Sequence, residues 1–226
     1  LFRSSMNRST IDIDQMLRRR GGKLLYEGPE GRVAQCPDGL ILSDITSGKA
    51  LCGCLSFLLL PEDAHFCVKS KDAADAVQER FRLRGQTPCA QWVYTKDSAP
   101  VVPGLEGADI HPLPEEDVPT AAPHYHDSAD YLRERSQAGE LWGIYEDGKL
   151  AGFMGLHEEG SMGILAILPE FRRRGLASVL ESWVIGQQLK QGWVPYGHVI
   201  EGNDASTALQ ESLGLTKAEL PAIWVF

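Results

Sequence analysis

Gly163-Ile164-Leu165-Ala166-Ile167-Leu168-Pro169-Glu170-Phe171-Arg172-Arg173-Arg174-Gly175-Leu176-Ala177 is the stretch that decides how this chain folds. An apolar run stops at a proline, three arginines follow, and a glycine opens a helical pattern. The first turn of a helix leaves four backbone N–H groups without partners. The helix dipole adds about half a positive charge at the same place. Together they make an anion site. Gly175 and Ala177 are small enough to let a diphosphate touch the backbone, and Arg172, Arg173 and Arg174 add charge and paired donors. The chain has neither Gly-x-x-x-x-Gly-Lys-Ser/Thr nor Gly-x-Gly-x-x-Gly, so it carries no ATP-type loop and no dinucleotide fingerprint.

Working outward, residues 161–168 read as the strand that feeds this loop and residues 174–191 as the helix it opens. Leu176, Leu180, Trp183, Val184 and Gln187 recur at offsets of three and four along one helix face. Upstream, residues 140–146 and 150–157 read as strands joined by Asp147-Gly148, a strong hairpin signal. A helix over 128–138, capped by Asp127, precedes them; downstream come a strand over 194–200, a helix over 204–212 and a strand over 223–226. Residues 98–107 hold Pro100, Pro103, Gly104 and Gly107 without periodicity and read as a linker. Before it, a helix over 13–20 capped by Asp12 leads to strands at 23–26, 32–36, 40–43 and 54–60. The segment 65–68 then runs into a helix over 72–84, followed by a strand over 89–95. Each half therefore ends in strands, a long helix and a strand. The first half is read either as a second copy of one architecture or as an unrelated α/β domain. The expected fold class is α+β: a mixed, mostly antiparallel sheet with helices on both faces, in tandem lobes of residues 1–97 and 108–226 joined by 98–107.

Net charge is −9 over 226 residues. Residues 1–108 carry 14 basic and 13 acidic side chains, residues 109–226 carry 8 and 18. Such a surface argues against a nucleic-acid partner and suits a cationic amine. No apolar run approaches the roughly 20 residues a spanning helix needs, and Arg3 and Arg8 are not followed by an apolar stretch, so no membrane segment or secretory signal is expected. Five cysteines, an odd number, all in the first half, read as free thiols of a cytoplasmic protein. Cys52 and Cys54 would share one face of a strand, but with only His65 nearby no metal site is expected.

The loop resembles the signature of the GNAT superfamily of N-acetyltransferases, Arg/Gln-x-x-Gly-x-Gly/Ala, here Arg172-Arg173-Arg174-Gly175-Leu176-Ala177. Asn203-Asp204-Ala205-Ser206 with Leu209 and Leu213-Gly214-Leu215 is similar to the family's second recurring stretch, and the Asp147-Gly148 hairpin sits where the family places one. The resemblance covers residues 108–226; the first half fits a degenerate copy but has no basic glycine loop. It implies acetyl-CoA as co-substrate and a small-molecule amine, amino acid or peptide N-terminus as acceptor, placed between the lobes or in a cleft beside the sheet. It implies backbone N–H groups of Arg173 to Ser178 on the diphosphate. The strand edge Leu165, Ala166 and Ile167 would lie along the pantetheine arm, with the N–H near Leu165 on the thioester carbonyl. Asn203 and Ser206 would touch the pantetheine, or simply cap a helix.

The acid and base are harder to place. Where many family members have a tyrosine acid, this chain has Gln210; the thiolate would leave unassisted or Tyr196 would substitute. Where some members have a carboxylate base, it has Ser161. Glu158 and Glu159 are the catalytic candidates, acting through water, with His157 as a competitor. His124-Tyr125-His126 reads as a pocket wall. These departures keep alive a decayed CoA-binding sensor. No Gly-x-Ser-x-Gly supports a hydrolase.

Overall fold

A computed structural model describes residues 6–226; Arg3 lies outside them. In chain order the first half holds α1 (Ile11–Arg19), β1 (Lys23–Gly28), β2 (Gly31–Gln35), β3 (Leu40–Ser43), α2 (Gly48–Leu55), β4 (His65–Val68), α3 (Lys71–Phe81) and β5 (Gln86–Val93). The second half holds β6 (Asp109–Pro112), α4 (Val118–Ala121), α5 (Ala129–Gln137), β7 (Leu141–Glu146) and β8 (Lys149–Leu156). It continues with β9 (Met162–Ile167), α6 (Leu176–Lys190), β10 (Tyr196–Ile200), α7 (Asp204–Leu213) and β11 (Thr216–Val225). All strands join one mixed sheet in the order β1-β2-β3-β4-β11-β5-β10-β9-β8-β7-β6. Only β3–β4 and β9–β10 are parallel. The fold is thus the α+β class that the sequence implies.

The centre of the sheet is an exchange. β11, from the second half, pairs antiparallel with β4 of the first; β5, from the first, pairs antiparallel with β10 of the second; and the two incomers pair with each other. Their side chains follow. Ile223 and Val225 of β11 pack into the core with Val33, Leu51 and Val77. Trp92 of β5, and Tyr94 just beyond it, pack with Val184, Ile185 and Leu213. Each core is therefore completed by a strand from the other half, and burying those large apolar side chains is what holds the exchange.

Several sequence expectations need correction. Residues 54–60 are not a strand. Cys52 and Cys54 lie on α2, which Ser47 caps by accepting from the Ala50 N–H, and the following Phe57 and Leu59 are 90% and 100% exposed. A short apolar run cannot distinguish a helix end from a buried strand, and the cap decided it. Asp12 does not cap α1. Thr10 holds that position, while the Asp12 carboxylate is fully buried against the Lys69 ammonium at 2.5 Å. On α5 the cap is Ser128, accepting from Tyr131 N–H, rather than Asp127. β6 was not anticipated; it is an edge strand, where its Pro112 is tolerated. β11 begins seven residues earlier than read from sequence, since a register irregularity between Lys217 and Pro221 hides its alternation. On α6 the buried face runs through Val179, Leu180, Val184, Ile185 and Gln188 rather than Gln187.

Candidate active site

The loop before α6 has the geometry its residues imply. Gly175 is the residue before the helix, at φ +75°, a left-handed conformation natural to glycine, and no side chain caps the helix there. The N–H groups of Leu176, Ala177 and Ser178 therefore have no helical acceptor. A Cβ on Gly175 would meet nothing within 4 Å, so open space faces the helix start. Arg173 is also left-handed, at φ +64°. Arg172 Nε donates to the Ile167 carbonyl at 3.1 Å, and Arg174 pairs with Glu146 of the β7–β8 hairpin at 2.7 Å. Arg174 is thus partly spent on the hairpin, whereas Arg173 enters no ion pair among the described residues. The open helix start and its basic rim suit an anionic group.

From this loop a gap runs between β9 and β10. The two strands start side by side, but Gly197↔Met162 is their single pairing, and they then diverge. A Cβ on Gly197 would lie 3.0 Å from the Met162 carbonyl, so glycine permits that one approach. The divergence starts beside a bulge: Ile164 and Leu165 of β9 together oppose Met154 of β8, and Ile164 takes φ +58°. A β-branched residue in that conformation is an outlier that the surrounding packing must hold, and Ile164 is 3% exposed, packed with Leu141, Phe153 and Leu168. The bulge leaves Leu165, Ala166 and Ile167 half-buried along an unpaired strand edge.

A cavity of about 680 Å³ fills the gap. Gly163, Ile164 and Leu165 form one wall and residues 197–200 the other; Asn203, Ser206, Leu209 and Gln210 of α7 close a side. Thr87 and Cys89 of β5 and Trp224 of β11 also reach it, as do His124, Tyr125 and His126. Among the described residues, no lysine or arginine lines it. Of the two roles the sequence left open for this pair, the structure shows the cap: the Asn203 side chain accepts from Ser206 N–H at 3.1 Å at the start of α7, and both residues line the cavity.

Five groups bear on proton transfer. Glu181 of α6 is buried at the cavity, where burial raises its pKa to about 7, while a 3.2 Å hydrogen bond donated by Gln210 Nε2 favours the charged form. No local pattern marks Glu181, which lies on the long helix outside the face read from its apolar positions. His157 lines the cavity too; burial lowers its pKa to about 4, so it is neutral near pH 7. Glu159 is 1% exposed and does not line the cavity; its carboxylate accepts from Ser161 Oγ, and burial raises its pKa to about 7. Glu158 is likewise off the cavity wall and accepts from the Tyr131 hydroxyl at 3.3 Å. Tyr196, the suggested substitute acid, does not line the cavity: it is fully buried and donates to the Glu159 carbonyl at 3.2 Å.

Among the described residues, one group approaches a metal-ligand cluster: Asp12, Cys67 and His198. Its chemistry is already satisfied. The Lys69 ammonium supplies the cation beside Asp12 and also reaches Gln91 Oε1 at 3.2 Å. His198 accepts from Trp224 Nε1 at 3.1 Å and sets its other nitrogen 2.8 Å from Gln91 Oε1.

Comparison with known proteins fits this geometry. Residues 141–225, which hold β7 to β11, match the family model described as FR47-like protein. No curated protein matches the chain. Among solved structures, a Drosophila protein superposes with a TM-score of 0.65 at 20% identity, covering 86% of this chain and 73% of its own. A GCN5-related N-acetyltransferase from Kribbella flavida gives 0.57 at 13% identity, covering 96% and 93%. Another from Sphaerobacter thermophilus gives 0.55 at 17%, covering 94% and 84%. These likenesses span both halves, and no helix of the described residues is long and apolar enough to cross a membrane. The chain has the fold of the GNAT superfamily of N-acetyltransferases.

Proposed function

We propose that this chain moves an acetyl group from acetyl-CoA to an amine of a small molecule, amino acid or peptide, by direct transfer. The observation that carries the reading is the uncapped start of α6 together with the parting of β9 from β10, which leaves an edge of β9 bare beside a cavity. The diphosphate would sit on the N–H groups of residues 173–178, with Arg172 to Arg174 at its rim. The pantetheine would lie along Leu165 to Ile167 like an added strand, with Asn203 and Ser206 beside it. The amine lone pair would attack the thioester carbonyl, whose oxygen the Leu165 N–H polarises. One such donor contributes about 3 kcal/mol to the transition state. The acceptor would enter past Thr87, Cys89 and the His124–His126 loop. The acidic surface and a cavity without lysine or arginine suit a cationic amine.

Release of free CoA from acetyl-CoA across a panel of primary amines tests this reading. Turnover with at least one amine is the expected result. Binding of acetyl-CoA without turnover on any of them would favour a sensor, a reading supported by Gln210 standing where many family members have a tyrosine acid. Failure to bind acetyl-CoA would sink both.

A further inference from the structure

Beside the cavity stands a half-buried triad that the fold alone does not assign. The His157 ring lies across Gly163 of β9: a Cβ on that glycine would come within 2.6 Å of His157 Nε2. The ring therefore occupies the space of a missing side chain on the cavity wall, with Nε2 towards β9. Behind it, His157 Nδ1 makes a short contact with the Tyr131 hydroxyl of α5, and the same hydroxyl reaches Glu158 Oε2 at 3.3 Å. A phenol has one hydrogen. When it is donated to the Glu158 carboxylate, the contact with His157 requires the hydrogen on Nδ1. Nε2 is then left with its lone pair. This assignment is the one that satisfies both contacts. Glu158 also faces Arg135, whose Nε lies 3.7 Å from it, and keeps a quarter of its side chain exposed. Asp127 and His126 are the other titratable groups acting on His157.

We infer that His157 is the general base for the acceptor amine and that Tyr131 and Glu158 relay its proton to solvent, an assignment that rests on the acyl-transfer reading above. The acceptor arrives as an ammonium. One N–H proton passes to His157 Nε2, the Nδ1 hydrogen passes to Tyr131 Oη, and the Tyr131 hydrogen passes to the Glu158 carboxylate. The freed nitrogen lone pair forms the C–N bond, and the C–S pair leaves with sulfur as a thiolate. The second nitrogen proton, lost as the amide forms, neutralises that thiolate. Because the proton moves through in concert, the buried imidazole never carries a lasting charge. Glu158 thereby acts, as its position in the sequence suggests, but through two side chains rather than through water.

The test has two arms. Long-range proton–nitrogen NMR on the full ¹⁵N-labelled chain at pH 7 reads the tautomer without any acceptor: Nδ1–H with a bare Nε2 is expected, and Tyr131→Phe should mix the tautomers. A wild-type His157 protonated on Nε2 would overturn the relay. With whichever amine turns over, His157→Gln should lower kcat by about 100-fold or more, the usual share of a general base. KM for acetyl-CoA should stay within about threefold, and Tyr131→Phe should cost less. Added imidazole should partly restore His157→Gly. A His157→Gln enzyme within threefold of wild-type kcat would also overturn the proposal. Neither arm depends on the thermal response to acetyl-CoA, so failure of CoA binding and failure of the relay are distinguishable.

Discussion

From their antiparallel strands onward the two halves of the sheet run through the same order of elements, and they differ in how two strands part and how a helix starts. In the first, β1, β2 and β3 are antiparallel, α2 crosses to a parallel β4, and α3 leads to β5. In the second, β7, β8 and β9 are antiparallel, α6 crosses to a parallel β10, and α7 leads to β11. Yet β3 and β4 stay zipped through Leu40↔His65, Ile41↔Phe66 and Leu42↔Cys67, while β9 and β10 part after one pair. The helix starts differ in the same sense. At α2 the Gly48 N–H donates to Asp72 Oδ2 at 2.7 Å, Ser47 takes the Ala50 N–H, and a Cβ on Gly48 would lie 2.5 Å from the Asp72 carbonyl. At α6 nothing covers Gly175. One architecture thus spends its helix-start donors internally in one half and leaves them uncapped in the other. A fold alone makes no binding site; unspent donors and an open strand edge do.

The largest test of this contrast is Gly175→Glu. Acetyl-CoA at a hundredfold excess over Kd should stabilise the wild type by about 2.7 kcal/mol. That corresponds to roughly 5–10 °C in Tm for a chain of this size. The carboxylate should abolish that increment in a thermal-shift assay, and an undiminished increment would break the comparison. Next is Glu181→Gln. The helix α6 buries a carboxyl group, whereas α2 buries only Gly48, Leu51 and Leu55. With a folded pKa near 7, above the unfolded value of about 4.3, Glu181 binds its proton more tightly in the native state. Its contribution is present at low pH and is lost as pH rises from about 4 to 7. At pH 8 the glutamine variant should therefore be the more stable, by up to about 3 kcal/mol, in denaturant titrations; equal stability at pH 5 and pH 8 would refute the burial.

Gly48→Ala should destabilise by about 1–3 kcal/mol, because its methyl group meets backbone that cannot yield, while leaving the Kd for acetyl-CoA unchanged by calorimetry. A weakened Kd would mean that the first half also touches the ligand. The smallest effect expected is that of Asn203→Ala, about 1 kcal/mol of stability from the lost cap. A change in Kd well beyond that would assign the side chain to the pantetheine rather than to α7.

Legibility from sequence followed the range of the physics. The α6 loop was readable because caps, dipoles and small residues act over one turn of chain. The hairpin at Asp147-Gly148 was readable for the same reason, and so was the capping role of Asn203. The bulge at Ile164 was not, since isoleucine gives no hint of a left-handed backbone that only the packed core around it enforces. Nor was Glu181: its meeting with Gln210 spans 29 positions between two helices, and no local pattern marks it. The exchange of β5 and β11 was hidden because each strand's partners lie in the other half of the sequence.

That exchange bears on how the molecule is born. Until residues 216–225 have emerged from the ribosome, β4 waits with an open side and β5 with another, both offering naked hydrogen-bonding groups to any passing strand. Synthesis of the first hundred residues therefore cannot deliver a finished core. Completion of both cores waits on that late segment, and a chain caught before it docks exposes two strand edges open to mispairing.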